Sequence, residues 1–245
     1  MKENKYRMTK EQNIFVAKRN IIDYIWKDAN LEGIAITYPD TEAVFNGFSV
    51  KGYKVDEIIA VNNLKRAWHF LLDNIDYPAD YQFMCKINQL VGGDNLVINA
   101  GYLRETDVRI GGTNWRPEIP KEDDVIEKIN EINKIENPTD RALTMMLYGM
   151  RSQLFLDGNK RTSMLAANQI MISNGAGVIA VPIEKQPEFT MMLVKFYETG
   201  NMQDIKNFVY EHCIDGMEFP KELSHSSRNG LNKDLFMVRG EDLEL

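Results

Sequence analysis

The chain has 245 residues, 44% hydrophobic and 27% charged, the proportions of an ordinary globular protein long enough to bury a full core. Its 36 acids outnumber its 29 bases for a net charge of −7, which argues against a broad electrostatic grip on nucleic acid, so any anion site must be local. Cys85 and Cys213 have neither metal-ligand nor redox spacing, the start "MKENKYRMTKEQN" has no apolar leader, and no run approaches the ~18–20 apolar residues of a membrane span. A cytoplasmic protein with no nucleic-acid or membrane partner is the expectation.

Thr9 stands three residues before Gln12, a capping-box spacing, and Ile14, Phe15, Ile21, Ile22, Ile25 and Trp26 follow at helical intervals. The first helix is therefore predicted to end near Asp28. Asn30–Phe48 carries Gly33, Pro39 and Gly47 and reads as a loop with a short element in it. From Val55 to about Ile75, Ile58, Val61, Leu64, Trp68, Leu71 and Leu72 share one helical face, and a further helix is expected over Tyr81–Val91. In "LVINAGYLRETDVRIGGTNWRPEIP", Val108 and Ile110 alternate with polar residues before Gly111-Gly112, the pattern of a β-hairpin over about 102–120.

Helical periodicity returns at Lys121–Lys134, again from Pro138 to Leu154, and after a loop at Phe155–Asn159 it runs to Ser173, where Asn174-Gly175 supplies a left-handed stop. Two more helices, near Glu188–Glu198 and Met202–Cys213, complete the body, and the sequence after Pro220 is polar. The reading is mainly α: one domain over 1–219 with an N-terminal segment 1–48, a core of about 55–216 and one hairpin, then a tail over 220–245.

The densest chemistry lies in "SQLFLDGNKRT", Ser152–Thr162. A helix N-terminus leaves its first N–H groups without intrahelical partners and carries a partial positive charge, so it attracts phosphate. Gly158 and Asn159 precede such a helix, and Lys160 and Arg161 add cations, Arg161 with a planar fork suited to phosphate oxygens. Asp157 is ill placed to hold bare phosphate but well placed to hold a divalent metal that bridges phosphates. The same five residues also fit a plain helix start, with Asp157 as cap, a Gly158-Asn159 turn, and solvated cations. No histidine is near: His69, in "RAWHFLL", reads as helix or core, and His212 and His225 are far along the chain.

The stretch resembles the signature of the Fic (Fido) family, His-Pro-Phe-x-(Asp/Glu)-Gly-Asn-(Gly/Lys)-Arg, at Phe155, Asp157, Gly158, Asn159, Lys160 and Arg161. The resemblance reaches from about Leu31 to Gly216, and "GYLRETDVRIGGTNWRPEIP" resembles the family's flap. It implies a Fic-like helical bundle with one β-hairpin flap, and transfer of AMP from Mg²⁺-ATP to a hydroxyl side chain of a protein target. On that resemblance Asp157 holds Mg²⁺, Gly158, Asn159, Lys160 and Arg161 bind the nucleotide, and Phe155 anchors the loop in the core. Lys160 also resembles the variant of the death-on-curing kinases, which transfer phosphate. Arg109, Ile110 and Gly111 would offer main-chain groups to an extended target segment.

Three departures stand out. Gln153 occupies the place of the family's general base and cannot accept a proton at neutral pH, a role worth typically ~10²–10⁴-fold in rate. Met164 stands where many AMP-transferring members have a second arginine. "DANLEG", Asp28–Gly33, resembles the family's inhibitory segment, with Asp28 in place of Ser or Thr, and makes Glu32 the inhibitory glutamate; without the second arginine, Glu32 is expected to lack a partner. The resulting expectation is a catalytically impaired or altered nucleotide-binding transferase. The alternatives are a non-catalytic module that uses the flap and a phosphotransferase of the death-on-curing kind.

Overall fold

In the computed structural model, residues 3–219 are described; the tail expected over 220–245, His225 included, lies outside the described residues. The described residues are mainly helical. α1 (Lys10–Arg19) begins at the expected capping box, with Gln12 N–H donating to Thr9 Oγ1 at 3.2 Å and Thr9 N–H donating to Gln12 Oε1 at 2.8 Å. The first helix does not run unbroken to Asp28: Asn20 (φ −105°, ψ 11°) interrupts it, and α2 (Ile21–Leu31) starts after it and reaches past Asp28. The short element in the next loop is α3 (Tyr38–Phe45), capped by Thr37.

α4 (Val55–Asp73) and α5 (Tyr81–Val91) follow as expected, each burying the face that its apolar spacing defines, with Leu64, Trp68, Leu71 and Ile87 fully enclosed. After the long connection come α6 (Glu122–Asn133), α7 (Pro138–Ser152) and α8 (Asn159–Ser173). α8 is the axis of the bundle, buried on nearly every side, as a helix in the middle of its neighbours must be. α7 lies against it so closely that a Cβ at Gly149 would meet Ser163 Oγ at 2.3 Å. α9 (Gln186–Thr199) and α10 (Gln203–His212) close the far side.

A small antiparallel sheet that the sequence reading missed pairs β1 (Val178–Ile179) with β2 (Ile214–Asp215). Buried Asn168 on α8 holds β1 from behind, donating to Ile179 O at 2.9 Å and accepting from Ile179 N–H at 2.6 Å. Two-residue strands are too short to show alternation.

Segment 102–120 is not a hairpin ladder. Among the described residues it contains a turn at Gly111-Gly112 and otherwise irregular chain without strand pairing, so we call it the strap. Its arms are joined by a side chain, described below. Cys85 and Cys213 are free thiols, and no helix among the described residues is long and apolar enough to cross a membrane.

Candidate active site

The connection from α7 to α8 is set by three buried or half-buried amides. Asn159, at the first turn of α8, accepts from Phe155 N–H at 2.9 Å and donates to Phe155 O at 2.8 Å, which folds the loop back on itself. Phe155 is thereby fixed in the core, only 2% exposed, the anchoring place expected of it. Asn88 of α5 donates to Asp157 O at 2.9 Å and to Thr162 Oγ1 at 3.1 Å, and accepts from Gly101 N–H at 2.8 Å, so it ties the loop to the root of the strap. Nothing in the local sequence marks Asn88, since all three of its partners are distant in the chain.

Gln153 is the third amide. It ends α7 in the left-handed conformation (φ 47°, ψ 60°), which costs a side-chain-bearing residue ~1–2 kcal/mol. Its carboxamide is engaged at both ends: Nε2 donates to Met150 O at 2.6 Å and Oε1 accepts from Asn159 Nδ2 at 3.2 Å. At the position expected for a general base the chain thus carries a tie between two helices. His69, on an exposed face of α4 against the Phe45 ring, and His212, exposed at the end of α10, belong to other parts of the fold.

Of the residues expected to bind phosphate, Gly158, Asn159 and Arg161 come together around the start of α8. Gly158 is its N-cap with φ +75°, and a Cβ there would meet Val91 Cγ2 at 3.0 Å and Asn88 Nδ2 at 3.2 Å, so both conformation and space require glycine. No side chain caps this helix and no acid lies in its first turn, which leaves the N–H groups of that turn to a ligand. Asp157 is 65% exposed beside it; one carboxylate oxygen accepts from Gly158 N–H at 2.6 Å. Arg161, only 7% exposed, is aimed at this corner with Nη2 3.8 Å from Asp157 and Nη1 3.5 Å from Val91 O. Its Nε has no hydrogen-bond partner among the described residues, a costly vacancy for a buried donor.

The chemistry of the N–H groups and of Arg161 is that of phosphate recognition, and the exposed Asp157 carboxylate is the group that could hold a divalent ion beside them. No group of three or more His, Cys, Asp or Glu assembles among the described residues, so Asp157 would act as a single carboxylate ligand, as suits Mg²⁺ held mainly by substrate phosphates and water.

Lys160 departs from its expected place. Its ammonium turns toward the end of α2, donating to Leu31 O at 3.1 Å and lying 3.6 Å from Glu32 Oε1. Glu32 therefore does have a cationic partner, contrary to the expectation from the missing arginine, and Met164 is simply a buried core residue. Glu32 is itself largely buried; its charge adds to burial in pushing the Tyr197 hydroxyl pKa up. One turn earlier, burial raises the Asp28 carboxyl to about 7, opposed by the Trp68 indole N–H at 3.2 Å and reinforced by the charge of Glu32.

In the strap, Arg109 and Gly111 are exposed and Ile110 is half-buried against the core. The second arm is held down by Glu198, which accepts from Thr113 Oγ1 and from Asn114 N–H at 2.6 Å, and by Arg151, whose guanidinium stacks on the Trp115 ring at 3.5 Å.

No protein-family model matches the chain. Over 195 residues, 76% of its length, the chain is 25% identical to the protein adenylyltransferase fic-1 of Caenorhabditis briggsae and equally to that of Caenorhabditis elegans; the matched stretch is 38% of each of those proteins. Solved structures with a similar fold include Fic-1 from C. elegans, with a TM-score of 0.70 at 23% identity over 80% of this chain and 62% of that one. A Fic domain-containing signaling protein from Bacteroides thetaiotaomicron gives a TM-score of 0.68 at 15% identity, covering 83% of this chain and 86% of that one. The chain is thus similar in sequence to the two Fic adenylyltransferases and shares the fold of the Fic-domain structures.

Proposed function

We propose that the chain binds a nucleoside triphosphate with Mg²⁺ at the start of α8 and has lost the ordinary means of activating an acceptor hydroxyl. The observation that carries this reading is the uncapped α8 N-terminus, flanked by the exposed Asp157 carboxylate and by buried Arg161 with an unsatisfied Nε. Asp157 would hold the metal, whose part is to neutralise phosphate charge. The N–H groups after Gly158 would cradle the phosphates, and Arg161 would complete its own hydrogen bonding on their oxygens.

On the acceptor side, the Gln153 amide has no basic site and both its ends are occupied, so it neither takes a proton nor moves freely to orient a hydroxyl. Relatives named protein adenylyltransferases support a protein target, with AMP as the group once transferred. The strap, carrying Arg109, Ile110 and Gly111, would receive an extended segment of that target. Glu32 acts as a latch by holding Lys160 toward α2 and away from the phosphates.

Incubation with ATP labelled at the α- or the γ-phosphate, in the presence of lysate proteins, tests the reading. The natural chain should label nothing, and Gln153→His should transfer the α-label. Equal labelling by both forms would sink the impaired-transferase reading, and a γ-label would identify a phosphotransferase instead. Partner capture that survives Asp157→Ala, with no nucleotide bound by either form, would leave an interaction module.

A further inference from the structure

The most deeply buried charged side chain among the described residues lies outside the motif. Arg104, 2% exposed, sits at the root of the strap, and its guanidinium meets main-chain carbonyls from both arms and from the loop. Nε donates to Gln153 O at 2.6 Å, Nη1 to Thr106 O at 2.7 Å, and Nη2 to Pro117 O at 3.1 Å and Glu118 O at 2.5 Å. Its own N–H donates to Leu154 O at 3.0 Å. Burial lowers its pKa, with the charge of Asp107 acting the other way. A buried cation held wholly by carbonyl oxygens pays a desolvation cost that ordinary core packing would not require.

The location explains what the cost achieves. The strap lacks a strand ladder, so hydrogen bonding between backbones does not fix the spacing of its arms. One planar guanidinium reaches Thr106 on the first arm, Pro117 and Glu118 on the second, and Gln153 on the loop. A lysine has no fork with which to bridge these directions. Asn88 provides a second tie at the same root, from Gly101 to Asp157 O at the far end of the loop.

We propose that Arg104 is a positioning residue that sets the strap over the α7–α8 loop, acting through the carbonyl of Gln153 and the carbonyls of both arms. Its functional meaning rests on the reading of that loop as the nucleotide and acceptor site; the physical coupling does not. Loosening the guanidinium should free the strap while the start of α8 keeps its geometry.

The test uses the full chain with Arg104→Lys and Arg104→Gln. Arg109 is exposed on the first arm and offers a tryptic site before Ile110. Both variants should be nicked after Arg109 at least ten-fold faster than the natural chain, with the lysine failing to rescue. Amide exchange within α8 should stay within about three-fold, and Mg²⁺-ATP affinity within about three-fold. An unchanged nicking rate, full rescue by lysine, or faster exchange throughout α8 (including failure to fold) would overturn the proposal, the last by making Arg104 a general core residue. Should even the natural chain bind no nucleotide, the reading of the site fails, while the nicking result still decides the coupling.

Discussion

Removing the Glu32 carboxylate should tighten nucleotide binding by releasing Lys160. Glu32 Oε1 lies 3.6 Å from Lys160 Nζ and has no hydrogen-bond partner among the described residues. At that separation two unit charges attract by about 4–5 kcal/mol at an effective dielectric of about 20. Most of this is offset because the carboxylate has left water and the ammonium is a third exposed, so the net coupling is about 1 kcal/mol. If Lys160 gives up that amount to reach a phosphate, Glu32→Ala should bind Mg²⁺-ATP about five-fold more tightly. Calorimetry on the natural chain, Glu32→Ala, Lys160→Met and the double variant forms a cycle that isolates the pair. The gain should vanish in the Lys160→Met background and shrink at high salt. An affinity unchanged by Glu32→Ala, or a gain of the same size without Lys160, would refute the latch.

Other expectations follow from individual contacts. Gly158→Ala must place a side chain at φ +75° and within 3.0 Å of Val91, so a loss of about 2–3 kcal/mol is expected, read as a fall of roughly 4–12 °C in thermal unfolding. Asn159→Ala leaves Phe155 N–H and O and Gln153 Oε1 without their partner; a cost of about 2–4 kcal/mol should appear in chemical denaturation. Asp28 binds its proton more tightly folded, at about 7, than unfolded, near 3.8. The folded state therefore carries the extra proton between those values, and stability should fall as pH rises from about 4 to about 7, then level off. Asp28→Asn should remove that slope in denaturation measured across the range, whereas a rise over the same interval would contradict the burial of the carboxyl.

Much of the helical frame was legible because the signals are local. Thr9 with Gln12, Pro138, and Asn174 with Gly175 each place a helix end through a start or stop signal that a few neighbouring residues determine. The expectation failed where a long-range hydrogen bond overrides local pattern. Val108, Ile110 and Gly111-Gly112 have the spacing of a hairpin, yet Arg104 takes the carbonyls of Thr106, Pro117 and Glu118, and Glu198 takes the Asn114 N–H.

The site divides in the same way. Asp157, Gly158, Asn159 and Arg161 were readable as one motif because they lie within five residues at one helix start. Asn88 and Arg104 were not, since each acts on backbone atoms many residues away. Lys160 shows the limit from the other side: a cation adjacent in sequence to the residues expected to bind phosphate points to Leu31 and Glu32, a contact that exists only because the fold brings the end of α2 near the start of α8.

The central claim is that the start of α8 still holds a metal–nucleotide ligand although Gln153 cannot serve as base. Calorimetric titration of the natural chain with ATP, with and without Mg²⁺, tests it most directly when Asp157→Ala is run alongside. Saturable binding that strengthens with Mg²⁺, at least ten-fold weaker and insensitive to the metal in Asp157→Ala, is the expected result. No binding by the natural chain, or binding that neither Mg²⁺ nor Asp157 affects, would contradict it.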